Sequence, residues 1–422
     1  MTATTATTAN GKPPGIVRLV ATVFLPFAGG YFLSYLYRSI NAIIAPQLVS
    51  EVNLSAGDLG LMTSAYFFAF AAFQIPLGML LDRFGPRRVQ SSFLLAAALG
   101  AFLFSIGDSK VTLILARAMI GLGVAGGLMS SFKAITIWFP QSRWPLVNGC
   151  FMAMGGLGAV SSTIPLEFAL HYTDWRGVFV GLSAATVCVS SIIFLIVPEK
   201  KAGPVAPPSL RDQLAGIGHI YTNRLFWRIA PICVAALSAN MAIQSLWAGP
   251  WLRDVAGYSR DAIAEHLFIL NAIMTVGFVA CGVVADLFER RGFTLSQVMG
   301  SATLIFMAAQ TAIVFQVAPT GLWPWVIFGL TMNFTVLAYT QLTRYFPPHY
   351  SGRAITALNL LAFGGVFFAQ SAIGWIIDLW PPNADGGYQN IGYTAAFGTV
   401  LAIQVLAFLW FLIPGKIAAP PE

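Results

Sequence analysis

From Leu19 to Ile413 the chain alternates long apolar runs with short polar breaks, and this feature alone removes most folds from consideration. The runs approach the ~20 residues that a helix needs to cross a ~30 Å hydrocarbon core, whereas a barrel strand needs ~10. A helix also satisfies its own backbone N–H and C=O groups, which lipid cannot do. Only 9% of the residues are charged and 57% are hydrophobic, with a mean hydropathy of +0.75. That leaves too little polar surface for a water-soluble globule. The expectation is an all-α membrane protein.

Twelve spans are read. The first six are Leu19 to Ala45, Leu59 to Leu81, Val89 to Ile106, Val111 to Ile137, Pro145 to Leu166 and Gly177 to Val197. The second six are Ile229 to Leu252, Ala262 to Ala285, Thr294 to Phe315, Leu322 to Tyr345, Arg353 to Ile377 and Tyr393 to Ile413. The stretch from Pro198 to Phe226 carries Glu199, Lys200, Lys201, three prolines, Arg211 and Arg224, and reads as a linker. The expected organisation is a cytoplasmic tail at 1–18, a six-helix bundle at 19–197, a cytoplasmic linker at 198–226, a second six-helix bundle at 227–414 and a tail at 415–422. The amino terminus lacks the short apolar region and cleavage site of a signal peptide, so it is expected to stay on the chain.

The formal charge of +7 suggests an acidic partner until the cations are placed against the membrane. With the amino terminus inside, Lys12, Arg18, Arg83, Arg87, Arg88, Arg143, Lys200, Lys201, Arg211, Arg224, Arg228, Arg290, Arg291, Arg344, Arg353 and Lys416 fall on the cytoplasmic side. Lys110, Arg176, Arg253 and Arg260 fall outside. This positive-inside bias predicts cytoplasmic termini, absorbs most of the charge and gives no reason to expect a nucleic acid partner. Cys150, Cys188, Cys233 and Cys281 lie in apolar runs without metal-ligand spacing and read as packing residues.

The two halves repeat each other. Asp82 corresponds to Asp286, Phe139-Pro140 to Phe346-Pro347 and Pro46 to Pro250, at a nearly constant offset. Two pseudo-symmetric six-helix bundles in the same orientation, related by an axis along the membrane normal, can rock about a site between them.

Gly78-x-x-x-Asp82-Arg83-x-Gly85-x-Arg87-Arg88, between the second and third spans, resembles the inner-loop motif of the major facilitator superfamily of secondary transporters. Gly78 allows two helices to approach, Asp82 can meet the positive amino end of a neighbouring helix, and the arginines hold the loop. The resemblance implies that this neighbour is the eleventh span, near Gly352. It makes Gly78, Asp82, Arg83, Arg87, Arg88 and the repeat copy Asp286 a conformational gating group. Arg117-Ala118-Met119-Ile120-Gly121-Leu122-Gly123 resembles a second family motif. Gly149, Gly155, Gly156 and Gly158 lack the Gly-Pro step of drug/proton antiporters. Tyr37-Arg38-Ser39-Ile40-Asn41, Trp138-Phe139-Pro140 and Trp175-Arg176-x-x-Phe179 are similar to the anion:cation symporter branch. That branch implies anion contacts from Arg38 and Arg117; where it carries a proton-coupling acid after the fourth-helix arginine, this chain has Val124.

Tyr31, Ser34, Tyr35, Arg38 and Asn41 recur at helical spacing and define a polar stripe on the first span. Arg38 lies well inside the span, where an unpaired guanidinium in lipid costs roughly 2.5–3.5 kcal/mol on insertion scales. All 16 acidic residues map to loops or span ends, so an anionic substrate is the simplest partner for the guanidinium fork. Lys133 is a further candidate cation, near the end of its span. It lies about 160° around the helix from Arg117 and could share a cavity with it only if Gly126-Gly127 bends the helix. Asn240, Gln244 and Trp247 form the matching stripe of the seventh span, with Gln244 at the repeat position of Arg38. Asn271, Asn333, Asn359 and Gln370 are further polar candidates, and Tyr66 and Tyr339 read mainly as packing. The substrate-binding expectation is Arg38, Tyr35, Asn41, Arg117, Lys133, Asn240, Gln244, Trp247, Asn333 and Asn359.

Glu265, His266 and Glu167 are candidate proton carriers, since histidine and carboxylates can exchange protons near a membrane face. Neither a metal cluster nor a nucleophile–base pair appears in the spans, which argues against an enzyme, a metal or a cofactor. The expected protein is a monomeric secondary transporter in a bacterial inner membrane. It moves a small organic anion of carboxylate or sugar-acid type, with protons as a candidate coupling ion. Drug efflux and ligand sensing are the alternatives.

Overall fold

The computed structural model describes residues 15–199, 210–383 and 385–413. The tails with Lys12 and Lys416, and the linker residues Lys200 and Lys201, lie outside the described residues. Among the described residues all regular structure is helical.

The first crossing is α1 (Ile16–Ser39) continued by α2 (Asn41–Val52), with a tightening of the backbone at Ile40. Next come α3 (Ala56–Ala72) and α4 (Gln74–Ser105). α4 turns back on itself at Gly85, whose φ of 78° is a left-handed conformation that suits glycine. Residues 74–84 therefore complete the second crossing, and the rest of α4 is the third. The following crossings are α5 (Lys110–Trp138), α6 (Leu146–Leu170) and α7 (Trp175–Ile196). The second half contains α8 (Leu210–Tyr221), α9 (Arg224–Asp254), α10 (Arg260–Arg290), α11 (Leu295–Val314), α12 (Trp323–Tyr345), α13 (Pro348–Ile377) and α14 (Asn390–Leu412). Among the described residues eleven helices are long and apolar enough to span a membrane by themselves. α3 is shorter and spans with the start of α4, so the twelve expected crossings are present.

Two departures from the sequence reading stand out. The first crossing runs past Pro46 to Val52, because the proline is accommodated inside α2. The linker contains α8, which packs on α13 by donating a hydrogen bond from the Tyr221 hydroxyl to the Ala357 carbonyl (3.0 Å).

Apolar side chains such as Phe68, Leu195, Val279, Phe368 and Leu406 cover the outside, where lipid rather than water is the favourable neighbour. Inside, helices meet backbone to backbone. A Cβ on Gly121 would lie 2.1 Å from the Tyr66 carbonyl oxygen, and one on Gly123 would lie 2.3 Å from the Ala97 nitrogen. The glycines of the Arg117 motif thus seat α5 on α3 and α4, as small residues do in membrane bundles.

The halves touch most closely at one end, where Asp378 terminates α13. A methyl group on Gly57 or Gly60 of α3 would strike Trp375 (2.6 Å) or the Gln370 carbonyl (2.7 Å), and one on Gly374 would strike the Ala56 carbonyl (2.3 Å). Gly249 of α9 leaves the same minimal gap to Ala42 of α2 (2.1 Å). Toward the Asp82 end a methyl on Gly78, Gly352 or Gly364 would meet nothing within 4 Å. Gly78 therefore does not serve close helix approach in this conformation.

Candidate functional site

Arg38 lies in the last turn of α1, immediately before the break at Ile40, and is 6% exposed. Its guanidinium carbon is 4.5 Å from the centre of the Tyr35 ring, 5.8 Å from Phe70 and 6.0 Å from Phe363. Phe70 comes from α3 and Phe363 from α13, so the cation sits on the seam between the halves. The Tyr66 hydroxyl nearby donates to the Ser34 carbonyl (3.1 Å). Ring faces offset part of the cost of burying a cation, yet the Arg38 Nε has no acceptor and no carboxylate among the described residues pairs with the group.

Arg117 is different. It is fully buried within the first half, donates to the Tyr37 carbonyl at 3.0 Å and lies over Tyr66 (5.4 Å) and Phe104 (5.9 Å). Its Nε and second terminal nitrogen have no acceptor. Tyr66 is thus shared by both buried arginines, a relationship that a reading of aromatic spans as packing does not reveal.

A chain of amides crosses the seam beside Arg38. The Gln244 amide donates to the Ser39 hydroxyl (3.4 Å) and to Asn271 (2.6 Å), and Asn271 donates to the Ala159 carbonyl (3.2 Å). Arg38, Tyr35 and Gln244 are therefore brought to one place. Other expected site residues are committed elsewhere: Asn41 to Thr63 (2.7 Å), Trp247 to the Gln370 carbonyl (3.2 Å) and Asn333 to the Met274 carbonyl (2.8 Å). Asn359 accepts from the Tyr339 hydroxyl at 2.7 Å. Asn240 is buried with its carbonyl oxygen unpartnered, as is the whole Gln370 amide.

At the Asp82 end, Lys133 forms an ion pair with Asp82. α5 loses helical regularity between Val124 and Gly127, at the glycine pair on which a cavity shared by Arg117 and Lys133 would depend. The Asp82 carboxylate thus engages α5, whereas the family resemblance implies the start of α13; Lys133 is the nearer cation here. Arg87 donates to the Phe194 carbonyl (2.7 Å), Arg88 pairs with Glu199 (2.6 Å), and Arg83 lies over its neighbour Phe84 (5.1 Å). The repeat copy Asp286 pairs within its own helix with Arg290 (2.8 Å).

At the opposite end Glu167 of α6 is 6% exposed and pairs with Arg260 of α10 (3.2 Å), joining the halves. Ligand atoms of His171 and Asp261 lie within 4.8 Å of each other and of Glu167, and Arg260 supplies the positive charge there. Glu265 is exposed, while the His266 Nδ1 is 2.8 Å from the Ala262 carbonyl and its ring lies 4.4 Å from that of Tyr258. Asp378 accepts the backbone N–H groups of Ala56 (2.9 Å) and Gly57 (2.7 Å) at the start of α3. Sequence reasoning did not assign Asp378 or Arg260 a role. The available signal was small residues at one-turn spacing, Gly57 and Gly60 on α3 and Gly374 and Asp378 on α13.

Similar proteins share this architecture. A probable sulfoacetate transporter, SauU, of Cupriavidus necator is 23% identical over 66% of this chain and 67% of its own. The hexuronate transporter of Escherichia coli K12 is 24% identical over 62% of this chain and 64% of its own. The efflux pump aunC of Aspergillus niger is 29% identical over 68% of this chain and 46% of its own. Among solved structures, an inward-facing, occupied bacterial homolog of the human lysosomal transporter Spinster superposes with a TM-score of 0.75 at 19% identity, covering 94% of this chain and 96% of that one. Residues 27–370 match the Major Facilitator Superfamily as a whole. With its helical repeat and bundle seam, the chain is an integral membrane transporter that belongs to the Major Facilitator Superfamily.

Proposed function

We propose that the protein moves a small organic anion by alternating access, with Arg38 as the anion anchor and the Asp82 end facing the cytoplasm. The observation that carries this is a buried guanidinium on the bundle seam with an unsatisfied Nε and no paired carboxylate. A carboxylate or sulfonate docked there would supply the missing charge and acceptors, which a bidentate fork favours. The relatives named for sulfoacetate and hexuronate carry anions and support the same class. Tight packing at the Asp378 end and the open space beside Gly78 fit an inward-facing arrangement.

Glu167 is the proton-coupling candidate this reading favours. Its ion pair with Arg260 must break for the Asp378 end to open, and protonation would ease that step. A second reading, export rather than uptake, is favoured by the similarity to the fungal efflux pump. Proteoliposomes test both: organic anion flux should be lost in Arg38→Ala while thermal unfolding is retained, and the sign of flux under an imposed proton gradient reports direction. Undiminished anion flux in Arg38→Ala would overturn the assignment.

A further inference from the structure

The geometry points to an aromatic carboxylate, of benzoate or phenylacetate type, as the anion class that fits around Arg38, in preference to a polyhydroxylated sugar acid. This rests on Arg38 being the anion anchor. Two independent observations carry it.

The first is what surrounds the cation. Tyr35, Phe70 and Phe363 all present rings within 6.0 Å of the guanidinium carbon. Phe70 and Phe363 lie 4.5 Å apart and Tyr31 and Tyr35 lie 5.0 Å apart, so the rings form walls on both sides of the seam. A carboxylate docked on the guanidinium brings its substituent against these walls, where an aromatic body gains ring–ring contacts.

The second is the state of the neutral polar groups. A sugar acid carries several hydroxyls, and each must find a partner or be desolvated at a loss. Asn271, Asn333, Asn359, Gln244 and Trp247 each already make at least one hydrogen bond within the protein. Asn41, Asn240 and Gln370 keep buried polar atoms without a partner, and Asn41 and Gln370 are 0% exposed. One strong anion site, many rings and neutral polar groups partly committed within the protein describe a ligand with one charged end and an apolar planar body.

Binding of benzoate, phenylacetate, cyclohexanecarboxylate and glucuronate to the purified full chain tests this. The aromatic acids should bind about tenfold or more tighter than glucuronate and cyclohexanecarboxylate. Phe363→Leu, which keeps most of the packed volume, should remove most of that preference at a near-normal unfolding temperature, and Phe363→Ala should remove it at some cost in stability. Tighter binding of glucuronate, equal binding of cyclohexanecarboxylate, or no binding of any of the four would overturn the aromatic class. If glucuronate wins and its binding is lost in Arg38→Gln, Arg38 stands as the anchor and only the aromatic class fails. If the acids bind equally well to Arg38→Gln, the anchor itself fails.

Discussion

The Asp378 carboxylate, at the end of α13, spans the seam to accept the Gly57 N–H at 2.7 Å and the adjacent Ala56 N–H at 2.9 Å. The first N–H groups of a helix have no partner within it, and its amino end carries partial positive charge. Asp378 answers both needs of α3 from the other half of the molecule. The contact therefore exists only while this end is closed.

Asp378→Asn keeps one acceptor and removes the charge. It should destabilise the closed arrangement by about 1–2 kcal/mol, a roughly five- to thirtyfold shift in population. Spin labels at the exposed positions Tyr172 and Asp385 should report a longer distance component. An unchanged distance distribution would mean that the cap is incidental to closure.

The Glu167–Arg260 pair bridges α6 and α10 at the same end. Glu167→Gln cannot gain or lose a proton, so it should abolish the dependence of uptake on a pH gradient while substrate exchange continues. Arg260→Gln should weaken closure by about 0.2–1 kcal/mol, since the arginine is half exposed. Retention of full proton-driven accumulation in Glu167→Gln would remove Glu167 from the coupling path.

Asp82 and Lys133 pair within the first half, at the end opposite Asp378. If Asp82 exchanges Lys133 for the start of α13 when that end closes, the pair acts on switching and not on the substrate. Asp82→Asn and Lys133→Met should both slow turnover with substrate Kd changed by less than about threefold. A Kd raised more than about tenfold in Lys133→Met alone would place Lys133 in the substrate site.

The crossings, the repeat and the inner hairpin were legible in the sequence because each is written in local composition: apolar length, a glycine that can adopt positive φ, and charge at span ends. Arg38 was legible because a mid-span cation without an acid is costly in lipid. The partners of Asp82, Glu167 and Asp378 were not, because each lies on a helix distant in sequence. The family motif led to the start of α13 for Asp82, whereas the structure pairs it with Lys133. The ring box was hidden for the same reason: Phe363 reads as one more lipid-soluble side chain until α13 is packed on α3.

Arg117 and Arg38 are both buried arginines of the first half, and the structure separates them. Arg117 is 0% exposed and spends a hydrogen bond on the Tyr37 carbonyl, which helps hold α5 to α1. Arg117→Ala would leave that carbonyl unpaired and open a cavity beside Tyr66 and Phe104, at a cost of about 3–5 kcal/mol. Arg117→Met fills the same space without a buried charge and should be far milder, because removing a desolvated charge offsets the lost hydrogen bond. Thermal unfolding and ligand Kd measured together decide the matter. The expected pattern is a low melting temperature for Arg117→Ala and near-normal values of both quantities for Arg117→Met. A well-folded Arg117→Met with Kd raised more than about tenfold would move Arg117 from the packing of the bundle into the anion site.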